Sequence, residues 1–196
     1  RENINPAFEL AYWSWGLKKA NDWRERMGRE RNADWDRMAD QMAPWPVVNG
    51  VYVEAESVLE KDGGHPTQLA AYGFLPASAH LDKEVMRKTL RHVLDNWDWA
   101  DTWGWDFPLI AMTAIRLNEP EWALEALLKS VQKNTYLPNG HNFQNEGLPL
   151  YLPGNGGLLT VVAMMCAGWD GCTEGNPGFP KNGLWNVKWE GLKPAF

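Results

Sequence analysis

The densest chemistry in the sequence lies at Asn96-Trp97-Asp98-Trp99-Ala100-Asp101-Thr102-Trp103-Gly104-Trp105-Asp106, where four tryptophans and three aspartates join two stretches of helical period. Indole faces suit the C–H faces of a sugar ring, and carboxylates accept from its hydroxyls, so Trp103, Trp105 and Asp106 are the expected ligand-facing residues. Asp106 also opens a predicted helix, where an aspartate commonly caps the first turn or meets the helix dipole. A second acidic pair, Glu54 and Glu56, follows an Asn-Gly turn. If the strand after that turn continues, Tyr52, Glu54 and Glu56 share a face, and two strand steps set the glutamate stems roughly 6–7 Å apart, near the spacing that fits a water between a general acid and a general base. Glutamates alternating on a strand also make an ordinary solvated face. Asp106, Glu54 and Glu56 are thus the candidate proton-transfer carboxylates. His65, just before Pro66, and His141 have the chemistry to bond ligand hydroxyls or to position an acid, while Asn142 and Asn155 can face the same cleft.

Other chemistries find little support. His80 and His92 read as helix-surface residues, and with no His-x-x-x-His or clustered Cys/His spacing no metal is expected. Gly154-Asn155-Gly156-Gly157 follows a proline loop rather than a buried strand, so it is read as a tight turn and not as a phosphate cradle, and no cofactor is expected. A net charge of -6 and a pI near 5.2 lack the basic footprint of nucleic-acid binding or of attraction to an anionic membrane. The longest apolar run, residues 156–168, falls short of the roughly 18 residues a span needs. Two cysteines, Cys166 and Cys172, are too few for a disulfide scaffold and leave the compartment open, with a secreted or periplasmic placement favoured over a cytoplasmic one. Arg1 reads as a cut or processed end.

The elements that must position these residues are mainly helical. Asn5-Pro6 predicts a cap and first-turn proline, followed by an aromatic stripe of Phe8, Tyr12, Trp15, Trp23 and Met27. Asn32 caps a second helix bearing Trp35, Met38, Ala39 and Met42, and the two make a helical hairpin. Val47-Val48-Asn49-Gly50-Val51-Tyr52-Val53 predicts the one small β-hairpin. Helices follow over 66–72, from the Asp82 cap through Met86, Leu90, Val93, Leu94 and Trp97, over 107–117, and over 120–131. Residues 133–153 lack a helical period; an irregular stretch of that length is usually functional or disordered, and Tyr136, His141, Asn142, Phe143 and Tyr151 argue against disorder. An all-apolar helix over 158–167 is expected to be fully buried, and Trp185, Val187 and Trp189 predict a C-terminal strand. Trp15, Trp23, Trp35 and Trp122 are expected to pack the hairpins together. Length fits one domain, divided here into a body at 1–182 and a strand and tail at 183–196.

In order along the chain, Asn5-Pro6-Ala7-Phe8-Glu9-Leu10, Val51-Tyr52-Val53-Glu54-Ala55-Glu56, His65-Pro66, Tyr72-Gly73-Phe74-Leu75-Pro76, Thr102-Trp103-Gly104-Trp105-Asp106 and Leu152-Pro153-Gly154-Asn155-Gly156-Gly157 resemble the C-terminal half of the six-hairpin (α/α) glycosidases. The nearest members are bacterial relatives of the inverting α-L-fucosidases, glycoside hydrolase family 95. The resemblance implies a partial (α/α) toroid of consecutive helical hairpins with one small β-hairpin and a C-terminal strand, and hydrolysis of a glycosidic bond in an oligo- or polysaccharide with inversion. It also implies that the proton-donor glutamate lies in a segment ahead of Arg1, and it puts Pro153 where the family has its base aspartate. The implied partners are a carbohydrate substrate and either that upstream segment or another subunit to complete the toroid. Two other readings fit the residues: a degenerate, non-catalytic carbohydrate binder, and a helical scaffold whose aromatic concave surface holds a peptide.

Overall fold

The computed structural model describes residues 3–59 and 62–195. The predicted end at Arg1, the last residue of the predicted tail, Phe196, and the 60–61 link lie outside the described residues. Among the described residues the protein is mainly helical, with α1 (Ala7–Arg26), α2 (Ala33–Asp40), α3 (Thr67–Gly73), α4 (Lys83–Asn96), α5 (Asp106–Arg116), α6 (Pro120–Leu127) and α7 (Leu152–Ala167). Two antiparallel hairpins interrupt them: β1 (Val47–Val48) with β2 (Val51–Tyr52), and β3 (Thr135–Tyr136) with β4 (Asn142–Phe143). The first turns at Asn49 and Gly50, both at positive φ (51° and 80°), as the Asn-Gly pair predicts.

Two helical pairs, α1 with α2 and α5 with α6, frame the chain. The odd-numbered helices form a row, α1 on α3, α3 on α5 and α5 on α7, while α2 packs on α1, α6 on α5, and α4 against β2, α3 and α5. Every residue of α5 is buried, which makes it the axis of the core. Leu109 and Ile110 are completely enclosed there, and truncating such a side chain to alanine costs about 2–5 kcal/mol. Turn chemistry sets the boundaries as predicted in two places. The Asn32 side chain accepts from the backbone N–H groups of Asp34 and Trp35, and Asp82 does the same for Glu84 and Val85, each such cap contributing about 1 kcal/mol. Asn118, at φ 62°, folds α6 back onto α5.

The structure corrects several expectations. Asn5 is not the cap of α1: it sits at φ 47°, its side chain donates to Glu56, and Pro6 takes the cap position without a side-chain bond. The buried face of α1 is Ala7, Ala11, Ser14 and Asn21, whereas Tyr12, Trp23 and Met27 are exposed. Small residues share the aromatic stripe's period, and they win the interior because α2 and α3 approach the α1 backbone closely. Ser14 donates to the Ala39 carbonyl, and Asn21 exchanges two hydrogen bonds with the Asn32 backbone, so α1 and α2 are pinned through short side chains. Trp15 and Trp122 do pack against the core. Trp35 of α2 lies under the Arg24 guanidinium of α1 and so joins the first hairpin, whereas Trp23 is exposed under Arg26 of its own helix, and Met42 falls beyond the end of α2.

At the other end, the Gly-rich stretch is not a turn but the first part of α7, and that helix is only half-buried. Leu152 and Leu159 are exposed while Val161, Met164 and Met165 face the core. Glycine serves close approach here: a Cβ on Gly157 would stand 2.6 Å from Pro108 of α5. The C-terminal strand does not form, because residues 183–194 find no partner strand. Trp185 packs on Phe179 and the Trp189 indole donates to Asn176, leaving one bridge between Ala195 and Trp169 to return the tail to the end of α7.

Candidate functional site

The turn before α5 is held from three sides. Trp97 closes α4, is 5% exposed, and donates its indole N–H to the Gly64 carbonyl. The Asp62 carbonyl accepts from the Asp98 backbone N–H, so the 62–65 segment is laced to the tryptophan-rich turn. Trp99 stacks on Phe107 with Lys129 above it, which places it in the structure's frame. Two of the four clustered tryptophans, Trp97 and Trp99, therefore brace the turn, and Trp103 and Trp105 border what it presents.

That feature is a His–Asp pair. His65 Nδ1 lies 3.0 and 3.1 Å from the two carboxylate oxygens of Asp106, and the Trp103 backbone N–H donates to Asp106 Oδ2 at 2.7 Å. The Asp106 side chain is completely buried while that of His65 is 37% exposed, so the carboxylate is the inner member and the imidazole the outer. Burial pushes the Asp106 carboxyl above its ordinary value of 3.8, against the hydrogen bonds from His65 and Trp103 and the charge of His65, all of which favour the anion. A carboxylate so placed fixes the tautomer and orientation of its histidine, as in acid–base dyads. Trp105 lies 4.8 Å from the His65 ring and Trp103 6.3 Å from it. Tyr151 extends this wall 5.3 Å from Trp103, its hydroxyl pKa raised by burial and secondarily by Asp106, and Lys133 stands over the Trp103 ring at 5.4 Å.

Beneath the turn lies a buried amide network that no local pattern announces. Gln144 and Asn142 are both wholly enclosed. Gln144 Oε1 accepts from the Gly104 N–H, and its Nε2 donates to Asn142 Oδ1 and the Lys133 carbonyl. Asn142 Nδ2 donates to the carbonyls of Lys133 and Thr135. Asn155, in the first turn of α7, accepts from the Asn142 N–H and donates to the Gly140 carbonyl. One set of amides thus ties the 133–151 loop to the Trp103–Asp106 turn and to α7. Gly104 and Gly154 have to be glycine, since a Cβ would fall 1.8 and 2.4 Å from Asn142 Oδ1.

The predicted residues accordingly separate. Asp106, His65, Trp103 and Trp105 meet. Asn142 is no ligand contact: its amide is spent and enclosed, and with Asn155 it shapes the loop. His141 sits at the end of the β3–β4 turn, where its main chain closes the hairpin by accepting from the Leu137 N–H. The two glutamates do not share a strand face, because β2 stops at Tyr52 and the chain turns at 54–57. Glu56 is exposed on Asn5, and Glu54 lines a separate cavity of about 440 Å³ with Tyr52, Gln68, Asp62 and His92. His80 lies in the loop before α4 rather than on a helix, with its carbonyl receiving the Tyr52 hydroxyl. Gln144 is the contributor not identified from the sequence, and Tyr151 is reached only as one of the aromatic residues of the aperiodic segment. Among the described residues no group of three or more His, Cys, Asp or Glu side chains could hold a metal, and no helix is long and apolar enough to cross a membrane. No family model and no curated protein matches the chain.

Proposed function

We propose that the chain is the C-terminal part of an (α/α) toroid glycosidase of the inverting type, acting on an oligo- or polysaccharide, with the His65–Asp106 pair at its carbohydrate site. The observation that carries this reading is the pair itself: a carboxylate shut away from water, holding a half-exposed imidazole between the Trp103 and Trp105 rings. Indole surfaces beside a proton-handling group suit a sugar ring, whose apolar face stacks while its reacting carbon meets water. In the step proposed, a water oxygen bonds to the anomeric carbon and gives its proton to the His65–Asp106 pair. The glycosidic C–O bond breaks, and the departing oxygen takes a proton from a carboxylic acid in the segment that the family resemblance puts ahead of Arg1. Attack opposite the leaving group inverts the anomeric centre.

The uncovered apolar faces of the first and last helices support the toroid. Trp13 and Trp23 on α1 and Leu152 and Leu159 on α7 are exposed, on the two ends of the helical row. The upstream segment, or another subunit, would cover them. A non-catalytic carbohydrate-binding role is the second reading, favoured by Pro153 at the position of the family's base and by the complete enclosure of Asp106.

The test is anomer-resolved NMR of sugar release from a glycan panel by the full-length protein. Release of the inverted anomer is expected, with Asp106→Asn and His65→Ala each lowering the rate by about 10²–10⁴-fold. Unchanged release by both variants overturns the site. Glycan binding without release by the wild type selects the non-catalytic reading.

A further inference from the structure

A second cavity, of about 340 Å³, lies behind Trp105 where α3, α5 and α7 converge. Its aromatic wall is Phe74 and Trp105, stacked 6.2 Å apart at 27°, and Met112 and Met164 provide two of its buried surfaces. Few polar groups line it. The guanidinium of Arg116, 7% exposed, stands over the rings of Tyr72 at 5.9 Å and Trp169 at 5.6 Å. The hydroxyl of Thr160, at the exposed rim, donates to the Gly156 carbonyl. With so little polar lining, a largely polar guest would leave hydrogen bonds unmade on entering, whereas a flat apolar ring would gain indole, phenyl and polarisable thioether contacts. Size narrows the class further. A dry cavity of about 150 Å³ admits one benzene ring, so this one has room for two fused rings or one substituted ring.

We propose that this cavity is a binding site for a small aromatic group of one or two rings, seated against Trp105 between α3, α5 and α7. Trp105 is shared: its ring neighbours that of His65 and also lines the cavity.

Indole is the probe, titrated into full-length protein carrying ¹³C-methyl methionine, with each resonance assigned from a Met→Leu variant. The methyls of Met112 and Met164 are expected to shift saturably, and that of Met38, 53% exposed on α2, to stay put. Thr160→Trp, which fills the mouth from the exposed rim, is expected to weaken binding by about tenfold or more, while Thr160→Ala keeps it. Thr160→Phe is the smaller change carrying the same expectation should the tryptophan variant misfold. Shifts that do not saturate, that appear equally at Met38, or that survive both bulky variants overturn the proposal. Sugar release plays no part in this readout, so the cavity and the glycosidase reading fail separately.

Discussion

Among the described residues two His–Asp pairs form, and they differ in the setting of the aspartate. His92 Nε2 lies 2.7 Å from Asp62 Oδ1 on the surface, and His65 Nδ1 lies 3.0 Å from Asp106 Oδ1 below it. The two imidazoles have the same side-chain exposure, 37%, but Asp62 is 49% exposed and Asp106 not at all. One short segment, 62–65, supplies a member to each. The shorter bond belongs to the less consequential pair, because water competes for an exposed ion pair and salt screens it, leaving about 0–1 kcal/mol. At Asp106 no solvent shares the carboxylate, and its hydrogen bonds and orientation are fixed by the turn. Environment, not contact distance, marks a pair capable of chemistry.

The largest expected break in that comparison lies in the backbone that builds each site. Gly104 beside the buried pair and Gly63 beside the exposed one form a matched test. A Cβ at Gly104 would meet Asn142 Oδ1 at 1.8 Å in a fully enclosed network, whereas at Gly63 the nearest atom is an Asp101 carboxylate oxygen at 3.3 Å. Gly104→Ala is expected to cost about 3 kcal/mol or more, the upper end of overpacking penalties, and Gly63→Ala under about 1 kcal/mol. Urea melts of both variants measure the difference, and equal losses would mean that the amide network does not constrain the turn.

Truncating the carboxylates comes next. Asp106→Ala removes a fully buried carboxylate that holds the Trp103 N–H and the His65 imidazole and should cost about 2–3 kcal/mol, while Asp62→Ala should stay within about 1 kcal/mol. Comparable losses in the two melts would erase the distinction between the pairs.

These contrasts also explain what was legible in the sequence. Local rules carried Asn32, Asp82, the Asn49-Gly50 turn and the stripe from Met86 to Trp97, because each rests on bonds or periods within a few residues. They also marked Trp103, Trp105 and Asp106 through composition, and His65 as a residue able to position an acid. Tertiary approach decided the rest. The small face of α1 and its aromatic face have one period, and only the closeness of α2 and α3 chooses between them. Glu54 and Glu56 needed a longer strand than the turn at 54–57 allows. Gln144 meets Gly104 across 40 residues, so no window shorter than the fold contains the bond. Likewise, the glycines of α7 resemble a turn until Asn142 and Pro108 are placed against them.

The finest test is the pH dependence of the buried pair. Burial raises the Asp106 carboxyl above 3.8, so the folded state favours the protonated acid more than the unfolded chain does. The stability this contributes is fully present below 3.8 and is lost as pH rises through the raised value, because ionisation then has to occur inside the core. Asp106→Asn removes the ionisation while keeping a side-chain acceptor for the Trp103 N–H. Measured by urea denaturation across the acid range, the stability of the wild type relative to Asp106→Asn should therefore fall with rising pH, whereas the same comparison for Asp62→Asn should show no such decline. The groups facing Asp106 that also titrate are His65 and Tyr151, so the comparison is repeated in a His65→Gln background, where the decline should persist because desolvation is its largest cause. A decline that disappears with His65 would assign the effect to the imidazole, and a rise in place of the decline would show that the turn's hydrogen bonds outweigh burial at Asp106.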